Sequence, residues 1–106
     1  MKILFDQGTP VPLRKSLSGH SVSTAYELGW DQLANGALLA AAQNASFDLL
    51  VTTDNNLRHE QNLTKKRLAI LVLPTTSWPA IQLHLTDIVK AVEAVQQGEY
   101  REVEFT

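Results

Sequence analysis

The chain has no cysteine among its 106 residues. Disulfides, thiolate metal sites and cysteine nucleophiles are therefore excluded, and an intracellular, cytoplasmic location is expected. Long apolar runs are missing too. No stretch approaches the ~20 residues of a membrane span, so no membrane partner is expected. The first residues reach Asp6 after only Ile3-Leu4-Phe5, well short of the roughly 7–15 apolar residues of a secretory signal. Neither sign of charge is in excess: 9 Lys and Arg stand against 11 Asp and Glu, a net charge of -2. Bulk electrostatics thus argue against a general nucleic-acid binder, and contact with RNA would need a local patch. Repeats, low-complexity segments and linkers are absent as well. What is present is an ordinary globular composition, 44% hydrophobic and 19% charged, which argues against disorder. The length suits a single domain over residues 1–106 with one core.

Two apolar runs organise the chain. Ile3-Leu4-Phe5 ends in Asp6, and a third strand over residues 47–53 ends in Asp54. Short, continuously apolar runs suit strands covered on both faces. Between them, Gly8 turns the chain and Thr9 can cap a helix that begins around Pro10 and Pro12. Leu13 and Leu17 in that helix are four apart and face the core. Residues 20–24 have β-branched character and form a weaker, peripheral second strand. Residues 25–30 suit one short helical turn stopped by Gly29. Asn35-Gly36 can cap a helix over residues 37–45. After the third strand, residues 55–62 read as a polar loop with a helical turn. The basic run Lys65-Lys66-Arg67 precedes a fourth, very apolar strand over residues 68–73. Ser77 can cap a helix with Pro79 in its first turn. Apolar residues then recur at helical spacing from Ile81 to Val95, and Gly98 ends the helix. Residues 102–105 alternate and suit a half-exposed edge strand.

Strands alternating with helices predict an α/β, three-layer fold. It has a mainly parallel central sheet of about five strands and helices on both faces. Strands one, three and four lie in its middle. Asp6 and Asp54 then share the carboxyl edge of the sheet, where ligands bind in open α/β folds. One Asp after a strand is by itself a common turn residue. Two at equivalent strand ends favour a site, and paired carboxylates suit Mg²⁺ or Mn²⁺. Asn35 points toward the same crevice from a helix N-terminus, though a plain N-cap is its commoner role. Glu27 and Asp31, four apart, are the candidates for a third metal ligand. Arg58 is a candidate phosphate contact, and the amides of Gln7, Asn55 and Asn56 are candidate substrate contacts. The three histidines have no metal spacing among themselves. The apolar face of residues 37–42 and that of the C-terminal helix serve either the core or a homodimer contact.

These residues carry a resemblance. Ile3-Leu4-Phe5-Asp6-Gln7-Gly8 with Pro10 comes first, followed by Gly19-His20-Ser21-Val22 and Glu27-Leu28-Gly29-Trp30. Asn35-Gly36 then precedes an alanine-leucine helix, and Leu50-Val51-Thr52-Thr53-Asp54-Asn55-Asn56-Leu57 completes the set. Over residues 1–75 the chain resembles the small PIN-like proteins, relatives of PIN-domain ribonucleases often regarded as toxin components of toxin–antitoxin pairs. The resemblance implies a PIN-like fold and an acidic cluster that binds Mg²⁺ or Mn²⁺ and cleaves RNA. It also implies control by a cognate antitoxin-like protein. Asp6 matches the first acidic position and Asp54 a later one. The middle acidic position is Asn35 here, a departure expected to lower metal affinity unless Glu27 or Asp31 substitutes.

The leading expectation is therefore a Mg²⁺- or Mn²⁺-dependent endoribonuclease. Asp6 and Asp54 hold the metal, and Asn35 orients substrate or water. A PIN-like module with a weakened site, binding RNA or a protein partner, is the alternative. More remote is a receiver-like phosphoacceptor domain, with Asp6, Asp54 and Thr75 or Thr76 in its key positions. It lacks the second acidic residue beside Asp6 and the Lys on the last strand.

Overall fold

The computed structural model describes residues 1–55 and 67–105. The expected helical turn over residues 55–62, together with Asn56, Arg58, His59, Gln61, Asn62, Lys65 and Lys66, falls wholly or mostly outside the described residues. Five strands form one sheet: β1 (Lys2–Phe5), β2 (Ser21–Thr24), β3 (Leu49–Thr52), β4 (Ala69–Val72) and β5 (Tyr100–Glu102). Every pairing is parallel, and the order is β2-β1-β3-β4-β5. The order reverses between β1 and β3, so the crevice for ligands in such sheets opens at the carboxyl ends of those two strands. As expected, β1, β3 and β4 are internal, and all four residues of both β3 and β4 are buried.

Strand periodicity divides the core into two layers. Ile3, Phe5, Leu49, Val51 and Leu71 point to one face. There they meet Leu13 and Leu17 of a 3₁₀-helix (Val11–Leu17), Ile81 of α2 (Trp78–Gln82), and Ile88 and Val92 of α3 (Leu85–Ala94). Leu4, Leu50, Ile70 and Val72 point to the other face, where Leu38, Leu39 and Ala42 of α1 (Asn35–Asn44) cover them. Helices thus lie on both faces of the sheet.

Several local expectations need correction. The first helix is of the tighter 3₁₀ type, and Pro10 stands at its cap with no side-chain bond. Pro12 removes an N–H at the start of that helix. Thr9 is no cap: its hydroxyl lies 2.9 Å from both the Asp6 Oδ1 atom and the Val51 carbonyl and shares its one proton between these acceptors. Asn35 is likewise not the cap of α1. Ala34 holds that position and Asn35 is the first helical residue. Residues 25–29 form consecutive turns, not a helix, with Gly29 at φ +74°.

The single long helix expected over residues 77–97 breaks at Leu83 and His84 into α2 and α3. Ser77 does cap α2, accepting from the Ala80 N–H. The break turns the chain so that Ile81, Ile88 and Val92 all reach the sheet while Leu83 stays 82% exposed. The His84 ring stacks on Phe105 at 4.2 Å, which anchors the turn. The last strand also starts two residues earlier than expected. Tyr100 to Glu102 pair with Ile70 to Val72. The alternation read over residues 102–105 persists beyond the ladder, because Val103 is buried and donates its N–H to the Val72 carbonyl at 2.8 Å.

Candidate functional site

Asp6 and Asp54 lie together at the switch point because β1 and β3 are adjacent and in register, with Phe5 opposite Val51. Asp6 directly follows β1, and its N–H donates to the Val51 carbonyl at 3.2 Å. Its Oδ1 atom accepts from the Gly8 N–H at 3.1 Å and from the Thr9 hydroxyl. Its Oδ2 atom accepts from the Thr52 hydroxyl. Thr52 is fully buried, and its oxygen in turn accepts the Asp54 N–H at 3.0 Å. One hydroxyl therefore ties the first carboxylate to the backbone of the second acidic residue.

Burial pushes the Asp6 carboxyl above the usual carboxylate range. The contacts from Thr52, Thr9 and Gly8 work against that rise, and the charge of Asp54 adds to it. Like charges at one site disfavour joint ionisation. A divalent cation between them would remove that conflict.

Gly8 serves the site by its size. A Cβ placed there would stand 2.4 Å from the Thr53 Oγ1 atom. With a Cβ at position 8 the Thr53 hydroxyl would have to turn away from the Asp6 loop.

Asn35 reaches the site from the first turn of α1. Its Nδ2 donates to the Asp54 Oδ2 atom at 2.8 Å. The amide that does not cap its own helix instead holds the second carboxylate. Glu27 and Asp31 are engaged elsewhere. Glu27 accepts from Arg14 and from the Thr24 N–H, contacts that hold its carboxyl below the usual range. Asp31 accepts from the Gln32 side chain at 3.2 Å. Among the described residues, no group of three or more His, Asp or Glu side chains could hold a metal ion. The two carboxylates are nonetheless hard oxygen donors. They fit a largely hydrated Mg²⁺ or Mn²⁺, which commonly takes one or two carboxylates and keeps several waters.

Two cavities open at this edge. One, of about 360 Å³, is lined by Asp6, Gln7, Thr9, Val11, Thr24 and Tyr26. Tyr26 there is 75% exposed. The other, of about 520 Å³, has Thr53, Asn55, Pro74, Glu102 and Phe105 among its lining residues. Gln7 and Asn55 thus flank the acidic pair on opposite sides. Asn55 also accepts the Tyr100 hydroxyl on its backbone carbonyl at 3.3 Å. A third cavity, of about 470 Å³, is lined by Met1, Phe47, Asp48 and Arg67. It lies at the opposite, amino-terminal edge and holds none of the candidate residues. His20 belongs to that edge, between the N-terminal amine and Glu93.

Sequence reasoning assigned no role to Thr52 or Tyr26, and to Thr9 only that of a helix cap. For Thr52 a signal existed: a hydroxyl at the end of an otherwise apolar strand needs a partner once buried. Tyr26 carried no such signal, because nothing in its neighbours predicts its exposure.

No protein-family model, no curated protein and no solved structure matches this chain.

Proposed function

We propose that this protein is a PIN-like endoribonuclease dependent on Mg²⁺ or Mn²⁺, acting as the toxin component of a toxin–antitoxin pair. The observation that carries the reading is the juxtaposition of Asp6 and Asp54 at the switch point, where the Thr52 hydroxyl donates to the Asp6 carboxylate and accepts the Asp54 N–H. In this reading both carboxylates hold the metal. Asn35 fixes the orientation of Asp54, while Gln7 and Asn55 contact the nucleotides on either side. Asn56 and Arg58, which follow Asp54 in sequence, complete the substrate contacts, with Arg58 on a phosphate. When bound, the metal supplies an activated water and stabilises charge on the phosphodiester. RNA is the substrate and a cognate antitoxin-like protein the partner, in the cytoplasm.

The test is cleavage of RNA by the full chain with added Mn²⁺. Asp6→Ala and Asp54→Ala are expected to abolish metal-dependent cleavage. Equal cleavage by the double variant would overturn the reading.

One observation favours a second reading, a PIN-like module with a weakened site that binds RNA or a protein partner. The Asn35 amide already occupies an oxygen of Asp54 that a metal would use. RNA binding without cleavage, unchanged by Mn²⁺, would select it. The strand order is also that of receiver-like domains. Labelling of Asp54 by a small phosphodonor would select that third reading.

A further inference from the structure

Asn35 is followed by Gly36, whereas the other four asparagines precede Ala, Asn, Leu and Leu. An asparagine before glycine is the pair most open to deamidation, because glycine leaves its own backbone nitrogen unshielded. From this pair and its position beside Asp54 we infer that Asn35 is a self-modification site: its deamidation installs the third carboxylate of the metal site. The inference rests on the metal-dependent reading above.

The local structure leaves the attacking nitrogen open. Gly36 is exposed, and nothing stands within 4 Å of where its Cβ would be. It is the second residue of α1, so its N–H is among those with no acceptor inside the helix. No side chain caps this end, and the first turn holds no acidic residue. The positive end of the helix dipole stabilises negative charge on the attacking nitrogen, and later on a carboxylate at position 35.

The reaction is balanced by one water. The Gly36 nitrogen loses its proton and bonds to the Asn35 Cγ atom, closing a succinimide ring. The bond from Cγ to Nδ2 breaks, and that nitrogen leaves as ammonia with the proton. Water then opens the ring. Attack at Cγ yields Asp, and attack at the backbone carbonyl yields isoaspartate. The product with the unaltered backbone carries oxygen where Nδ2 now lies 2.8 Å from Asp54. A donor to Asp54 becomes a second acceptor, and a third carboxylate joins Asp54 at the carboxyl edge of the sheet.

The test uses the full chain, freshly purified or aged at mildly alkaline pH, with peptide mapping by mass spectrometry and calorimetric titration with Mn²⁺. Deamidation is expected at Asn35 ahead of Asn44 and Asn55. Gly36→Ala is expected to keep its helix and suppress the reaction at Asn35. Asn35→Asp is expected to bind Mn²⁺ about tenfold more tightly than fresh parent, since ligand charge tunes hard-cation sites. An aged chain unmodified at Asn35, or an Asn35→Asp variant no tighter than the parent, would overturn the inference. Neither readout uses RNA cleavage. Absence of ribonuclease activity and absence of deamidation are therefore separate outcomes.

Discussion

The Asn35 amide donates to the Asp54 carboxylate at 2.8 Å, joining the first turn of α1 to the end of β3 across 19 residues of sequence. Hydrogen bonds to charged groups contribute about 1.5–3 kcal/mol when buried. Partial exposure reduces that figure here, and Ala is a better helix former by up to about 0.7 kcal/mol. Asn35→Ala is therefore expected to cost only about 1 kcal/mol in urea unfolding. Asn35→Asp should cost more, because it faces Asp54 with a like charge. Added Mn²⁺ should restore its melting temperature, since a ligand of the folded state stabilises it.

Thr52→Val removes the buried hydroxyl that links Asp6 to the Asp54 backbone. An unsatisfied buried polar group costs about 1–3 kcal/mol, and this change removes one hydrogen bond from Asp6 and one from Asp54. The loss should appear in urea unfolding. NMR titration of the Asp6 carboxyl should move further above the usual range, because the strongest of the contacts that lower it is gone.

Asp6 gives the protein an unusual pH response. Its folded carboxyl titrates above the unfolded value. Between the two, the folded state binds more protons, so stability falls as pH rises through that window. Asp6→Asn is expected to be more stable than the parent at neutral pH. The gap should close as pH is lowered through the folded pKa toward the ordinary Asp value. Glu27 and Glu99, whose carboxyls titrate below the usual range, act in the opposite sense but are common to both proteins. Thermal melts across the acid range check the difference.

Gly8→Ala forces a Cβ against the Thr53 hydroxyl. Overpacking of this kind costs about 1–3 kcal/mol. If that contact is the cause, adding Thr53→Ala should recover most of the loss. A double-mutant cycle in urea measures the coupling.

The strand sequence of this fold was legible because β1, β3 and β4 carry short apolar runs, and a period of two assigns their faces. Position on the carboxyl edge followed for Asp6 and Asp54 from the parallel order alone. The partners of those acids were not legible. Thr9 and Asn35 both sit where a helix cap is the ordinary reading, yet each spends its side chain on a carboxylate. That choice depends on a contact between segments distant in sequence. The break at Leu83 and His84 was hidden for a related reason. Ile81, Leu85, Ile88 and Val92 keep an apolar rhythm through the break, so periodicity cannot register the change of direction.

The central claim is that Asp6 and Asp54 together hold one divalent metal ion. Calorimetric titration of the full chain with Mn²⁺, beside Asp6→Ala and Asp54→Ala, addresses it most directly. The account predicts one site in the parent and its loss in each variant. Mn²⁺ binding of unchanged affinity in either variant, or none in the parent, would contradict it.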